Sequence, residues 1–145
     1  MKKLFFYFLL VTSFYYGKSQ SKVASYSFGK LGTENYENIS FWIENGKRTD
    51  ITYSYGASQE EIKLKYVEKA LFKGDSGFKV QFPNKYTLYV IPKGFNLKVN
   101  DENEKYLKIF TWEYEGTFNG IGTFCEPCAE GKEDAMRIIK TNYLR

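Results

Sequence analysis

The stretch Ile39-Ser40-Phe41-Trp42-Ile43-Glu44-Asn45-Gly46-Lys47-Arg48-Thr49-Asp50-Ile51-Thr52-Tyr53-Ser54-Tyr55 decides the fold class. Ile39, Phe41 and Ile43 alternate with Ser40 and Trp42, and Ile51, Tyr53 and Tyr55 alternate with Thr52 and Ser54. A period of two puts one side of each segment toward a core and predicts two strands. Between them, Asn45 and Gly46 tolerate positive φ, so Glu44-Asn45-Gly46-Lys47 predicts a hairpin turn. A two-residue turn would set Phe41 opposite Asp50 and mix the faces. A three-residue loop with Gly46 in the left-handed region brings Ile39, Phe41, Thr49 and Ile51 to one side, and it is the expected form.

The same alternation spreads outward along the chain. Ala24, Tyr26 and Phe28 form a first strand ending at Gly29 to Gly32. Phe78, Val80 and Phe82 form another, which Pro83-Asn84-Lys85 turns. Residues 86–91 read as a strand buried on both faces, and Phe95, Leu97 and Val99 as its neighbour after Pro92-Lys93-Gly94. A turn at 100–103 precedes a long aromatic strand over 106–115. Segment 58–73 is ambiguous. Ser58 with Glu61 resembles a capping box and Gly74 a helix stop, yet Ile62, Leu64 and Tyr66 alternate with lysines. Helical spacing would set Ile62 and Leu64 about 200° apart, so strand is expected over 61–67. Ala135, Ile138, Ile139 and Tyr143 recur at helical spacing near the C-terminus. Seven or eight antiparallel strands and one C-terminal helix predict a mainly β fold, barrel-like or a sandwich, as one domain over 20–145.

Residues 1–19 are read apart from that domain. Met1-Lys2-Lys3 is basic, Leu4 to Tyr16 is apolar but for Thr12 and Ser13, and Gly17-Lys18-Ser19 offers small residues two apart. This is the pattern of a bacterial secretory signal cleaved near Ser19/Gln20, and it predicts a periplasmic or secreted protein. Such a run is too short for a membrane span, which needs about 20 residues, so no span is expected in the mature chain. Lys2, Lys3 and Lys18 leave with the leader, so 18 of the 21 basic residues face 17 acidic ones. The signs are interspersed and predict no nucleic-acid partner.

The chain has no histidine. Histidine-based triads, Cys–His dyads and imidazole metal sites are therefore excluded. Cys125 and Cys128 are the only cysteines, and in an exported chain they predict a disulfide; redox-active thiols are the alternative. Pro127 suits a first helical turn, where a thiolate would gain from the helix dipole. Over Cys125-Glu126-Pro127-Cys128 alone, the segment is similar to the Cys-x-Pro-Cys of thioredoxins. Only 17 residues follow it, however, so no thioredoxin domain is expected. No metal or cofactor is expected either, because two thiols lack further soft ligands.

Phe110, Trp112 and Tyr114 share one strand face. They are either core filler or a planar platform for a sugar or peptide. Glu113 and Glu115 share the other face, at a spacing also used by glycosidases, though an alternating strand produces such pairs by chance. The glycine-rich loop 116–122 lacks the spacing of a phosphate or dinucleotide loop. The expected role is non-catalytic binding of a ligand or protein partner. The alternatives are a small thiol-disulfide protein and an inhibitor of an extracellular enzyme presenting loop 116–122.

Overall fold

Eight strands carry the alternating segments in the computed structural model, which describes residues 21–113 and 127–145. They are β1 (Ser21–Phe28), β2 (Glu37–Glu44), β3 (Lys47–Tyr55), β4 (Glu60–Phe72), β5 (Asp75–Gln81), β6 (Thr87–Lys93), β7 (Asn96–Asn100) and β8 (Leu107–Trp112). Each pairs antiparallel with its sequence neighbours, and β8 returns to β1, so the sheet is a closed up-and-down barrel. Closure pairs the first strand with the last, so neither end of the sheet is left open and the apolar faces turn inward. Residues 1–19, expected to be a leader, lie outside the described residues.

The interior is filled by the residues the alternation selects: Tyr26, Ile39, Phe41, Ile51, Leu64, Phe78, Val80, Leu88, Val90, Leu97, Val99 and Phe110. Outward positions between them mix serine, threonine and lysine with Trp42, Tyr89 and Ile109. The apolar inside is the reverse of the polar lumen of a membrane-spanning barrel. Among the described residues, no helix is long and apolar enough to cross a membrane.

The β2–β3 turn differs from the three-residue loop expected. Glu44 pairs with Lys47, leaving a two-residue turn with Asn45 at φ 50° and Gly46 at φ 72°. The bulge lies two residues further in. Between the pairs Ile43↔Arg48 and Phe41↔Ile51, β2 has only Trp42 while β3 has Thr49 and Asp50. Thr49 Oγ1 donates to the Trp42 carbonyl across this bulge at 3.2 Å. The extra residue in β3 rotates Ile51 and Tyr53 inward, opposite Phe41 and Ile39. Facing is thus corrected within the ladder rather than at the turn.

The strand expected over 61–67 is present and runs to Phe72. Gly74, a candidate helix stop, instead follows Lys73 in the turn to β5, both with positive φ. A second bulge in β4 leaves Val67 without a partner between Tyr66↔Val80 and Glu68↔Lys79.

The helix α1 (Lys132–Tyr143) follows the barrel, with Ala135, Met136, Ile138, Ile139 and Tyr143 buried along one stripe. It lies at the barrel end that holds the start of β1 and the β6–β7 turn. Lys22 of β1 pairs with Asp134 at 3.1 Å, and Lys132 lies over the Phe95 ring. At the far end of the helix, Tyr143 enters the core among Phe41, Tyr66 and Phe78, with Arg48 over its ring. Acidic Glu133 and Asp134 in the first turn and Lys140 in the last suit the helix dipole.

Candidate functional site on the β5–β6 side of the barrel

Phe110 points into the barrel and is fully buried. Trp112 is half-buried against the same core and pairs with Tyr26 across the β1–β8 seam. Both described members of the aromatic row therefore serve packing. Tyr114 lies outside the described residues, as do Glu115, loop 116–122 and Cys125.

Cys128 is half-buried beside β1, where it forms a parallel bridge with Val23. Val23 N–H donates to the Pro127 carbonyl at 2.7 Å and Ala129 N–H to the Val23 carbonyl at 2.8 Å. This short segment continues the wall where β8 has left β1. It also overturns the expected placing of Pro127 in a first helical turn, because the helix starts at Lys132. The dipole argument for a stabilised thiolate at Cys128 goes with it. Among the described residues there is no free cysteine.

Glu113, one of the two carboxylates on the face opposite the aromatic row, accepts hydrogen bonds from Tyr36 Oη at 2.8 Å and Asn38 Nδ2 at 3.2 Å. Asn38 Oδ1 in turn accepts from Ser40, whose hydroxyl meets that of Ser25. This chain of side chains laces β1, β2 and the end of β8 together, a structural use of the carboxylate.

A second carboxylate sits inside the barrel at the end away from the helix. Glu37 is 7% exposed, yet it accepts from Tyr53 Oη at 2.9 Å, from Tyr106 Oη and from Lys108 Nζ. Lys108 lies between the rings of Phe28 and Tyr106. Burial, reinforced by the hydrogen bond and charge of Glu37, pushes the Tyr53 and Tyr106 phenols above their ordinary range. They remain donors at neutral pH. The cluster is self-satisfied and functions as a polar plug.

Concave surface lies on the outer wall instead. A groove of about 470 Å³ runs between the start of β6 and the β7–β8 loop. Tyr86 is 42% exposed at its rim, and its hydroxyl donates to Asp101 Oδ2 at 3.2 Å. Burial and the neighbouring Asp101 charge raise its pKa. Tyr89 lines the wall, its ring 4.8 Å from Phe72 and beneath Lys79. A hydrogen bond to Glu68 raises the Lys79 pKa, although burial opposes the shift. Thr87, Glu102 and Asn103 add hydroxyl, carboxylate and amide groups, and the Val67 bulge shapes the far side. Reading 86–91 as buried on both faces hid this groove, since Tyr86 precedes β6 and faces solvent. Residues 101–103 come beside 85–89 because β7 folds back on β6, with Asn100 opposite Tyr89.

Among the described residues, no group of three histidine, cysteine or carboxylate side chains could hold a metal ion. The chain matches no known protein family, no curated protein and no solved structure at a significant level.

Proposed function

We propose that the mature domain is a non-catalytic binding protein of the cell envelope or exterior, exported by removal of residues 1–19. Its ligand site is the groove beside Tyr86, and a sugar is the ligand class that fits. The observation carrying this reading is the pairing of an exposed tyrosine with a carboxylate, amide and hydroxyl in one concave wall. A ring face stacks on the apolar side of a sugar while carboxylates and amides accept and donate around its hydroxyls. A volume near 470 Å³ lies within the range of small-ligand sites. Cys125 and Cys128 are proposed to be joined, which ties the segment beside β1 into a small loop without catalytic use.

Titration of the ¹⁵N-labelled mature domain with chitohexaose and cellohexaose tests this reading. Amide shifts are expected at Thr87, Tyr89 and Asn103, with binding weakened about tenfold by Tyr86→Ala. Saturating sugar that leaves those amides unmoved would remove the basis for the proposal. Alkylation without reductant is expected to leave both cysteines unmodified.

A further inference from the structure

The barrel wall has a window between β4 and β5. Residues 60–64 of β4 pair with β3 alone, from Tyr55↔Glu60 to Ile51↔Leu64. Pairing of β4 with β5 begins only at Lys65↔Gln81. Beyond Gln81 the chain turns away, with Phe82 N–H donating to the Tyr86 carbonyl and Lys85 N–H to that of Phe82. Among the described residues, no other backbone group bonds residues 60–64 on their β5 side. Alternate N–H and C=O groups over five residues, about 17 Å of strand, are therefore presented outward.

A cleft of about 250 Å³ occupies this window. Its floor is apolar: Leu64 belongs to the barrel core and Phe82 packs against it. Its frame is basic. Lys63, Lys65 and Lys85 surround it, and only Lys63 makes an ion pair among the described residues, an exposed one with Asp50 at 3.3 Å. Exposed pairs of this kind hold a lysine weakly, so all three cations are available to a partner.

We propose that the β4 edge at residues 60–64 takes up an extended acidic protein segment as an added strand. The partner's main chain pairs with the outward groups of β4, an apolar side chain enters over Leu64 and Phe82, and flanking carboxylates meet Lys65 and Lys85. This is strand addition, in which backbone bonds supply affinity and alternate side chains supply selectivity. It stands on the strand pairing and is independent of the groove beside Tyr86.

The test uses the synthetic hexapeptide acetyl-Glu-Val-Glu-Phe-Glu-Val-amide, its all-lysine counterpart, and a version N-methylated at every residue. Titration of the ¹⁵N-labelled mature domain is expected to shift amides at 60–65 and at Gln81, Phe82, Asn84 and Lys85, and to slow hydrogen exchange at 60–64. The lysine peptide and the N-methylated peptide should not bind. The double variant Lys65→Glu/Lys85→Glu, folded by circular dichroism, should bind at least about tenfold more weakly. The proposal is overturned by undiminished binding of the N-methylated peptide, which would make the contact purely electrostatic. Shifts confined to other residues, or no binding at millimolar peptide, overturn it equally. So does concentration-dependent self-association that protects the same amides, which would make a second copy the occupant. In that last case Lys63, Lys65 and Pro83 act as guards of an edge rather than as a docking frame.

Discussion

Tyr143, in the last turn of the helix, stacks on Phe78 of β5 with ring centroids 4.8 Å apart and 24° between their planes. The contact joins the helix to the centre of the barrel, since Phe41 and Tyr66 approach the same ring. Truncation there would leave a cavity between elements that cannot collapse together. Tyr143→Ala is expected to destabilise the domain by about 3–5 kcal/mol in urea denaturation. The Tyr143 hydroxyl, in contrast, is buried without a hydrogen-bond partner among the described residues, as is that of Tyr26. Removing an unpaired buried hydroxyl relieves its desolvation, so Tyr143→Phe and Tyr26→Phe should each be neutral or stabilising by about 1 kcal/mol. A loss above that size in either variant would show that the hydroxyl is bonded in solution.

Glu37 and Lys108 should respond unequally to substitution. Glu37→Ala strands three donors inside the wall: two tyrosine hydroxyls and an ammonium. Lys108→Met leaves the carboxylate with both tyrosines and keeps the stem between Phe28 and Tyr106. Lys108 is also partly exposed, which discounts its electrostatic share. Expected losses are about 3 kcal/mol for Glu37→Ala and about 1 kcal/mol for Lys108→Met. Thermal melts of the two variants in one buffer would decide the order, and a reversed order would count against the plug.

Two glycines should separate backbone strain from crowding. Gly46 has φ 72° with open space around it, so Gly46→Ala costs only conformational strain, about 1 kcal/mol. At Gly77 an added Cβ would lie 2.5 Å from the Val90 carbonyl oxygen and 3.0 Å from Ile91 Cγ1. Those atoms belong to the neighbouring strand and cannot yield without parting β5 from β6. Gly77→Ala should therefore be the more damaging, by about 2 kcal/mol or more. Equal chemical denaturation midpoints for the two variants would contradict this account.

Acid should loosen the helix first. Burial raises the Asp134 pKa, but the Glu130 N–H, Lys22 and Arg137 outweigh it and hold the carboxyl below its usual 3.8. A depressed folded pKa gives stability that is present above the unfolded value and is lost as pH falls through 3.8 toward the folded one. Asp134→Asn should flatten that part of the acid-unfolding curve, read by circular dichroism. At the alkaline end the sign reverses. Burial raises the phenols of Tyr26, Tyr53, Tyr106 and Tyr143, so their contribution is intact below pH 10.0 and declines as pH rises beyond it. Ultraviolet titration should show these four tyrosines ionising only as the barrel opens.

The alternation of Ile39, Phe41 and Ile43, of Ile51 and Tyr53, and of Phe78 and Val80 was legible because a strand has a fixed period of two. The helical spacing of Ala135, Ile138, Ile139 and Tyr143 was legible for the same kind of reason. The reading failed at the β2–β3 turn, where composition could not tell a bulge beside Gly46 from one at Thr49-Asp50. It failed again at Pro127, since a proline permits a helix start without requiring one. It also missed the groove and the window, each of which assembles residues from separate strands.

By itself the sequence determined which side chains enter a core and that strands would form, because side-chain period and turn chemistry are local. Only the tertiary structure decided that the sheet closes on itself, that Glu37 meets Lys108, and that β4 keeps five residues unpaired beside β5. Those outcomes depend on strand count, bulge position and register, which are settled by packing the whole barrel at once.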